Sequence, residues 1–102
     1  MMRTIEISVP GNIVIDIQKH ERYTYEQLKE FLGTDIIQVV KIPDNIVIDD
    51  AILICDEEAK FKPHVDINGP ATMILALAGI QDIVAGNAII CNVECYFDKS
   101  TF

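Results

Sequence analysis

Residues 4–9 alternate, with Ile5, Ile7 and Val9 on one side of the chain and Thr4, Glu6 and Ser8 on the other. After Pro10-Gly11-Asn12 the alternation resumes, setting Ile13, Ile15 and Ile17 against Val14, Asp16 and Gln18. Successive side chains of a strand point to opposite faces. Two such runs about a Pro-Gly-Asn turn therefore predict an N-terminal β-hairpin with one buried face. The period then changes. Thr24 followed by Gln27 has the spacing of a capping box, and Gly33 stands where a left-handed residue ends a helix. Between them Tyr25, Leu28, Phe31 and Leu32 form one apolar face, and Glu26, Lys29 and Glu30 form a polar one. This predicts a short amphipathic helix packed on the sheet.

The second half reads as strand, strand, helix, strand. Residues 35–42 are apolar on both faces, which predicts an interior strand ended by Pro43-Asp44-Asn45. Residues 51–55 are an unbroken apolar run, a further central strand, and Asp56-Glu57-Glu58 is its acidic exit turn. Asn68 is a good N-cap, and proline suits a first helical turn, so Asn68-Gly69-Pro70 predicts a helix over residues 71–78 ending at Gly79. Its body is apolar almost all round, which a small domain covers best by burying one side against another chain; a homo-oligomer is expected. Residues 88–97 predict the last strand, with Ile89, Cys91, Val93, Cys95 and Phe97 inward and Asn92 and Glu94 outward. The fold class is α+β: a small mixed sheet with an N-terminal hairpin and two helices, in the order ββαββαβ.

At 102 residues the chain is expected to be a single domain, 1–102. Half of it is hydrophobic, which argues against a disordered chain. Sixteen acidic residues against 8 basic ones give a net charge of −8, the wrong sign for binding nucleic acid or an anionic membrane directly. The opening MMRTIEISVPG has no apolar core or small-residue cleavage site of an export signal. The longest uncharged run, residues 67–81, is too short and too broken by glycine and proline to span a bilayer. A cytoplasmic location is expected.

Three cysteines, Cys55, Cys91 and Cys95, suit no disulfide framework. Cys91 and Cys95, read on one strand, stand about 13 Å apart, too far to share a zinc ion. They are expected to be buried, reduced thiols, and no metal or cofactor is expected. The carboxylates of Asp56, Glu57 and Glu58 lack calcium-loop spacing. No Ser/His/Asp set, glycine-rich phosphate loop or HExxH is present, and His20 sits in the charged linker Lys19-His20-Glu21-Arg22. The chain is not expected to be an enzyme.

Binding chemistry concentrates at the second helix. A helix N-terminus presents unpaired N–H groups and a positive dipole end, which suit phosphate or carboxylate. Lys60, Lys62 and His64 lead into that terminus, and Asn68, Gly69 and Thr72 form it. These six residues are the candidate site for a small anionic ligand, a nucleotide signal being one such compound. The second reading is an acidic protein–protein interaction module that inhibits a host nuclease or DNA-binding protein.

An apolar strand running into Cys-Asp-Glu-Glu-Ala-Lys (55–60), Asn68 opening the next helix, and Asp-Ile-Val-Ala-Gly-Asn-Ala-Ile-Ile (82–90) together carry a family resemblance. The hairpin and first helix fit as well. The chain resembles the DUF3846 family, small proteins of phages, conjugative elements and their bacterial hosts, of unknown function. It departs from the family where members often carry Pro-Pro before the helix-opening Asn, having Asp66-Ile67 instead. The resemblance implies no activity. It implies a mobile-element setting, in which a counter-defence role is expected.

Overall fold

The computed structural model describes residues 2–9, 12–19, 22–43, 50–63 and 65–95. Strands β1 (Met2–Ser8) and β2 (Asn12–Lys19) pair antiparallel, with Ile5 opposite Ile15, Glu6 opposite Val14 and Ile7 opposite Ile13. The expected N-terminal antiparallel pair is therefore present, in the register its alternation demands, while its Pro10-Gly11 turn lies outside the described residues. Helix α1 (Tyr25–Leu32) follows. Thr24 Oγ1 accepts from Gln27 N, Gln27 Oε1 accepts from Thr24 N, and Gly33 closes the helix at φ 72°. Each of these features agrees with the sequence reading, because each is a local contact between near neighbours.

Strands β3 (Ile37–Lys41) and β4 (Ala51–Asp56) come next, then a 3-10 turn (Ala59–Phe61), helix α2 (Gly69–Leu77) and strand β5 (Ala88–Asn92). The order ββαββαβ is as expected and the class is α+β. The sheet itself differs from expectation in that every pairing is antiparallel rather than mixed, in the spatial order β2-β1-β5-β4-β3.

Helices cover the two faces of the middle of this sheet. On one side α1 packs Leu28 and Leu32 against Ile52, Ile54, Ile89 and Cys91. On the other α2 packs Ala71 and Leu75 against Ile7, Leu53, Ala88 and Ile90. Strands β4 and β5 are buried on both faces throughout, which is why their sequences are unbroken apolar runs.

Three strand expectations are corrected. Strand β3 is an edge strand, not an interior one. It lies beside β4 and is half-buried, with Ile37 and Val39 packed against the α1-side core and Val40 against the α2-side core. The last strand stops at Asn92, where Val93–Cys95 turns into a 3-10 helix, so Cys91 and Cys95 do not share a strand. All three cysteines are nevertheless buried, as expected. The hairpin has no continuous buried face: Ile7 is buried, but its neighbours Ile13 and Ile15 on β2 are 52% and 63% exposed.

Helix α2 begins two residues before the predicted start, with Asn68 as its cap. It buries Ala71 and Leu75 and leaves Met73 and Leu77 exposed. Among the described residues no helix is long and apolar enough to cross a membrane.

Candidate functional site

Of the six residues singled out around α2, the five that are described do not converge as free ligand-binding groups. Lys60 Nζ lies 2.8 Å from Asp82 Oδ1, in the loop after α2. Lys62 Nζ instead donates to Asp56 Oδ2, at the end of β4. The two ammonium groups thus go to different carboxylates. His64 lies outside the described residues.

Asn68 is almost wholly buried, and its amide is saturated. Its Oδ1 accepts from Ala71 N at 3.1 Å, and its Nδ2 donates to Ile7 O at 3.0 Å and Gly86 O at 2.9 Å. It therefore ties α2 to β1 and to the loop before β5. The first turn offers few donors besides. Asn68 N–H donates to Val84 O, Ala71 N–H goes to the cap, and Pro70 has none. Gly69 is exposed. Thr72 Oγ1 accepts from Val84 N at 3.0 Å, a contact that pins the loop after the helix.

Two clefts flank Asn87. A cleft of about 320 Å³ is lined by Val9, Gly33, Asp56, Lys62, Asp66 and Asn87 among others, and does not reach Asn68, Gly69 or Thr72. Its lining includes the Asp56–Lys62 pair. Asp56 is buried, and burial alone would raise its pKa. The Lys62 ammonium, the Glu58 N–H and the Thr34 side chain outweigh that and hold the carboxyl below its ordinary range. Nearby, burial and then the Asp56 carboxylate push the Cys55 thiol up to about 11, which favours the neutral thiol over the thiolate at neutral pH.

A larger, shallower groove of about 520 Å³ lies on the α1 side, lined by Glu6, Tyr23, Gln27, Glu30, Phe31 and Asn87. Tyr23 OH donates to Glu6 Oε2 at 3.3 Å. Burial, with the nearby Glu6 carboxylate, raises the Tyr23 phenol well above its usual value and keeps it a neutral donor. Asn87 holds the end of the groove: its Nδ2 donates to Phe31 O at 2.7 Å and its Oδ1 accepts from Val9 N at 3.0 Å.

Sequence reasoning missed this groove, because Glu6, the stretch from Tyr23 to Phe31, and Asn87 come from three separate parts of the chain. The nearest signal was Asn87, a polar residue directly ahead of an apolar strand. It also read Asp56 as part of a solvated acidic turn, whereas Asp56 is buried and Glu57 and Glu58 are the exposed pair.

Among the described residues no three His, Cys, Asp or Glu side chains come together as a metal-binding group. No curated protein and no solved structure matches the chain. The family model described as Domain of unknown function (DUF3846) matches residues 2–101, and the chain belongs to that family.

Proposed function

We propose that this domain is a non-enzymatic accessory protein of phages or mobile elements, a cytoplasmic interaction module that engages a basic host protein such as a nuclease or DNA-binding protein. One observation carries the reading. The lysines that marked the anion site are neutralised within the chain by Asp82 and Asp56, while Glu6 and Glu30 line an open groove on a protein of net charge −8. Acidic surface steers a basic partner and disfavours an anionic one.

The anionic-ligand reading keeps one observation on its side, the presence of Lys62 in the wall of the 320 Å³ cleft. The two readings separate in one screen. Thermal shift and fluorescence anisotropy would be run with nucleotides, cyclic dinucleotides and an arginine-rich peptide at low and moderate salt. The expected result is salt-sensitive binding of the peptide and no stabilisation by nucleotides. Saturable stabilisation by a nucleotide, lost in Lys62→Ala, would reverse the order of the two readings.

Self-association is a separate proposal, supported by the exposed Met73 and Leu77 on α2. Light scattering of Leu77→Glu beside the unmutated chain tests it, and an unmutated monomer at tens of micromolar would sink it.

A further inference from the structure

Strand β2 closes one end of the sheet, and among the described residues no strand pairs with its outer edge. Asp16 and Lys19 place charge toward the far end of β2, but over Ile13, Val14 and Ile15 the strand carries neither charge nor proline, and these side chains are 52%, 59% and 63% exposed. Proteins ordinarily protect such an edge with charge, proline or a covering segment, because its N–H and C=O groups are a template for another strand. Val14 stands opposite Glu6, and opposed residues of an antiparallel pair share a face. The bare edge therefore borders, on the α1 side, the groove that holds Glu6, Tyr23, Glu30 and Phe31.

We propose that an extended basic segment of a partner protein adds to β2 as a sixth strand and places a long cationic side chain across Val14 into the Glu6–Glu30 groove. Main-chain pairing with an open edge supplies affinity, and pockets for alternate side chains supply selectivity. The added strand would lie two strand spacings from β1, about 10 Å, a gap that an Arg or Lys side chain and Glu6 span together. Its apolar stem covers Val14, its charged head meets Glu6, and the Phe31 and Tyr23 rings offer cation–π faces. A second copy of this chain fits the edge poorly. Three exposed side chains fall short of the roughly 800 Å² per partner that a stable interface buries.

This inference rests on the basic-partner reading, and its test separates the two. An alternating arginine–valine octapeptide, fluorescein-labelled, is titrated by anisotropy at low salt. The same peptide N-methylated at every second amide removes main-chain donors and leaves the protein untouched. Binding at least about tenfold weaker is expected for the methylated peptide and for Glu6→Gln/Glu30→Gln. The largest backbone amide NMR shifts are expected in β2. Glu30→Gln alone, on the exposed face of α1, guards against a folding defect in the double variant and should weaken binding in the same direction. Equal binding of the methylated peptide, an unchanged affinity in the glutamine variants, or shifts centred away from β2 would overturn the site while leaving a basic partner standing. No binding of any arginine-rich peptide would overturn both.

Discussion

Lys62 reaches back across the 3-10 turn to the buried Asp56, so that one exposed ammonium neutralises a carboxylate at the end of a fully buried strand. The other oxygen, Oδ1, accepts from Glu58 N at 2.9 Å. The pair holds the turn after β4 closed. Removing the ammonium leaves a buried carboxylate with one charge-assisted contact fewer. Lys62→Met is expected to cost about 1–2 kcal/mol, at the low end because the lysine is partly exposed. Urea unfolding at neutral pH reads this, and an unchanged midpoint would refute it.

The same pair sets an acid limb. The Asp56 pKa is lower in the folded chain than its ordinary 3.8. The folded state therefore favours the ionised form, and the resulting stability is present above about pH 4 and lost as pH falls through the folded value. Asp56→Asn lacks this contribution at every pH. The stability gap between it and the unmutated chain is expected to narrow below pH 4, whereas a gap independent of pH would contradict the assignment.

Asn68 combines a cap with a tether, and the two roles respond differently to substitution. Asp caps a helix as well as Asn does. At this position, however, Asp would set carboxylate oxygens against Ile7 O and Gly86 O, which now accept from Nδ2. Both Asn68→Ala and Asn68→Asp are expected to lose about 3 kcal/mol or more in thermal or urea unfolding. Full stability in Asn68→Asp would reduce the residue to an ordinary cap.

Gly86 has φ 78°, and a Cβ there would stand 3.2 Å from Val65 Cγ1. Backbone strain and crowding act together in a buried loop. Gly86→Ala is expected to destabilise by about 1–3 kcal/mol. Gly33→Ala, equally left-handed but with nothing within 4 Å, should show the backbone cost alone and be the milder change.

Thiol chemistry gives an independent check on the core. With its pKa pushed up to about 11 by burial and the Asp56 carboxylate, Cys55 carries little thiolate near neutrality. Labelling of folded protein at pH 7.5 is expected to be slow at all three cysteines and fast in denaturant. The raised value also means that stability from this thiol is complete below its ordinary value of 9.0 and lost as pH rises through about 11. Rapid native labelling at Cys55 would place it outside the core.

What the sequence determined by itself was everything that depends on near neighbours. The α1 capping box, its glycine stop, the Asn68 cap and the strand alternation of β1 and β2 follow from residues a few positions apart. Periodicity and cap chemistry act at that range. The order of elements and the α+β class come from the same signals.

Tertiary structure decided what depends on distant partners. Strand β5 is the last of the described strands yet sits in the middle of the sheet, between β1 and β4, where it is covered on both faces. Strand β3 has a neighbour on only one side and stays half-buried, yet Ile37 and Val39 pack against one core and Val40 against the other, so apolar residues on both faces did not mean an interior strand. The site shows the same division. Three cationic residues ahead of a helix cap are visible as a pattern, but Lys60 is neutralised by Asp82, 22 positions on. Electrostatic character belongs to the pair, and only the fold brings the pair together.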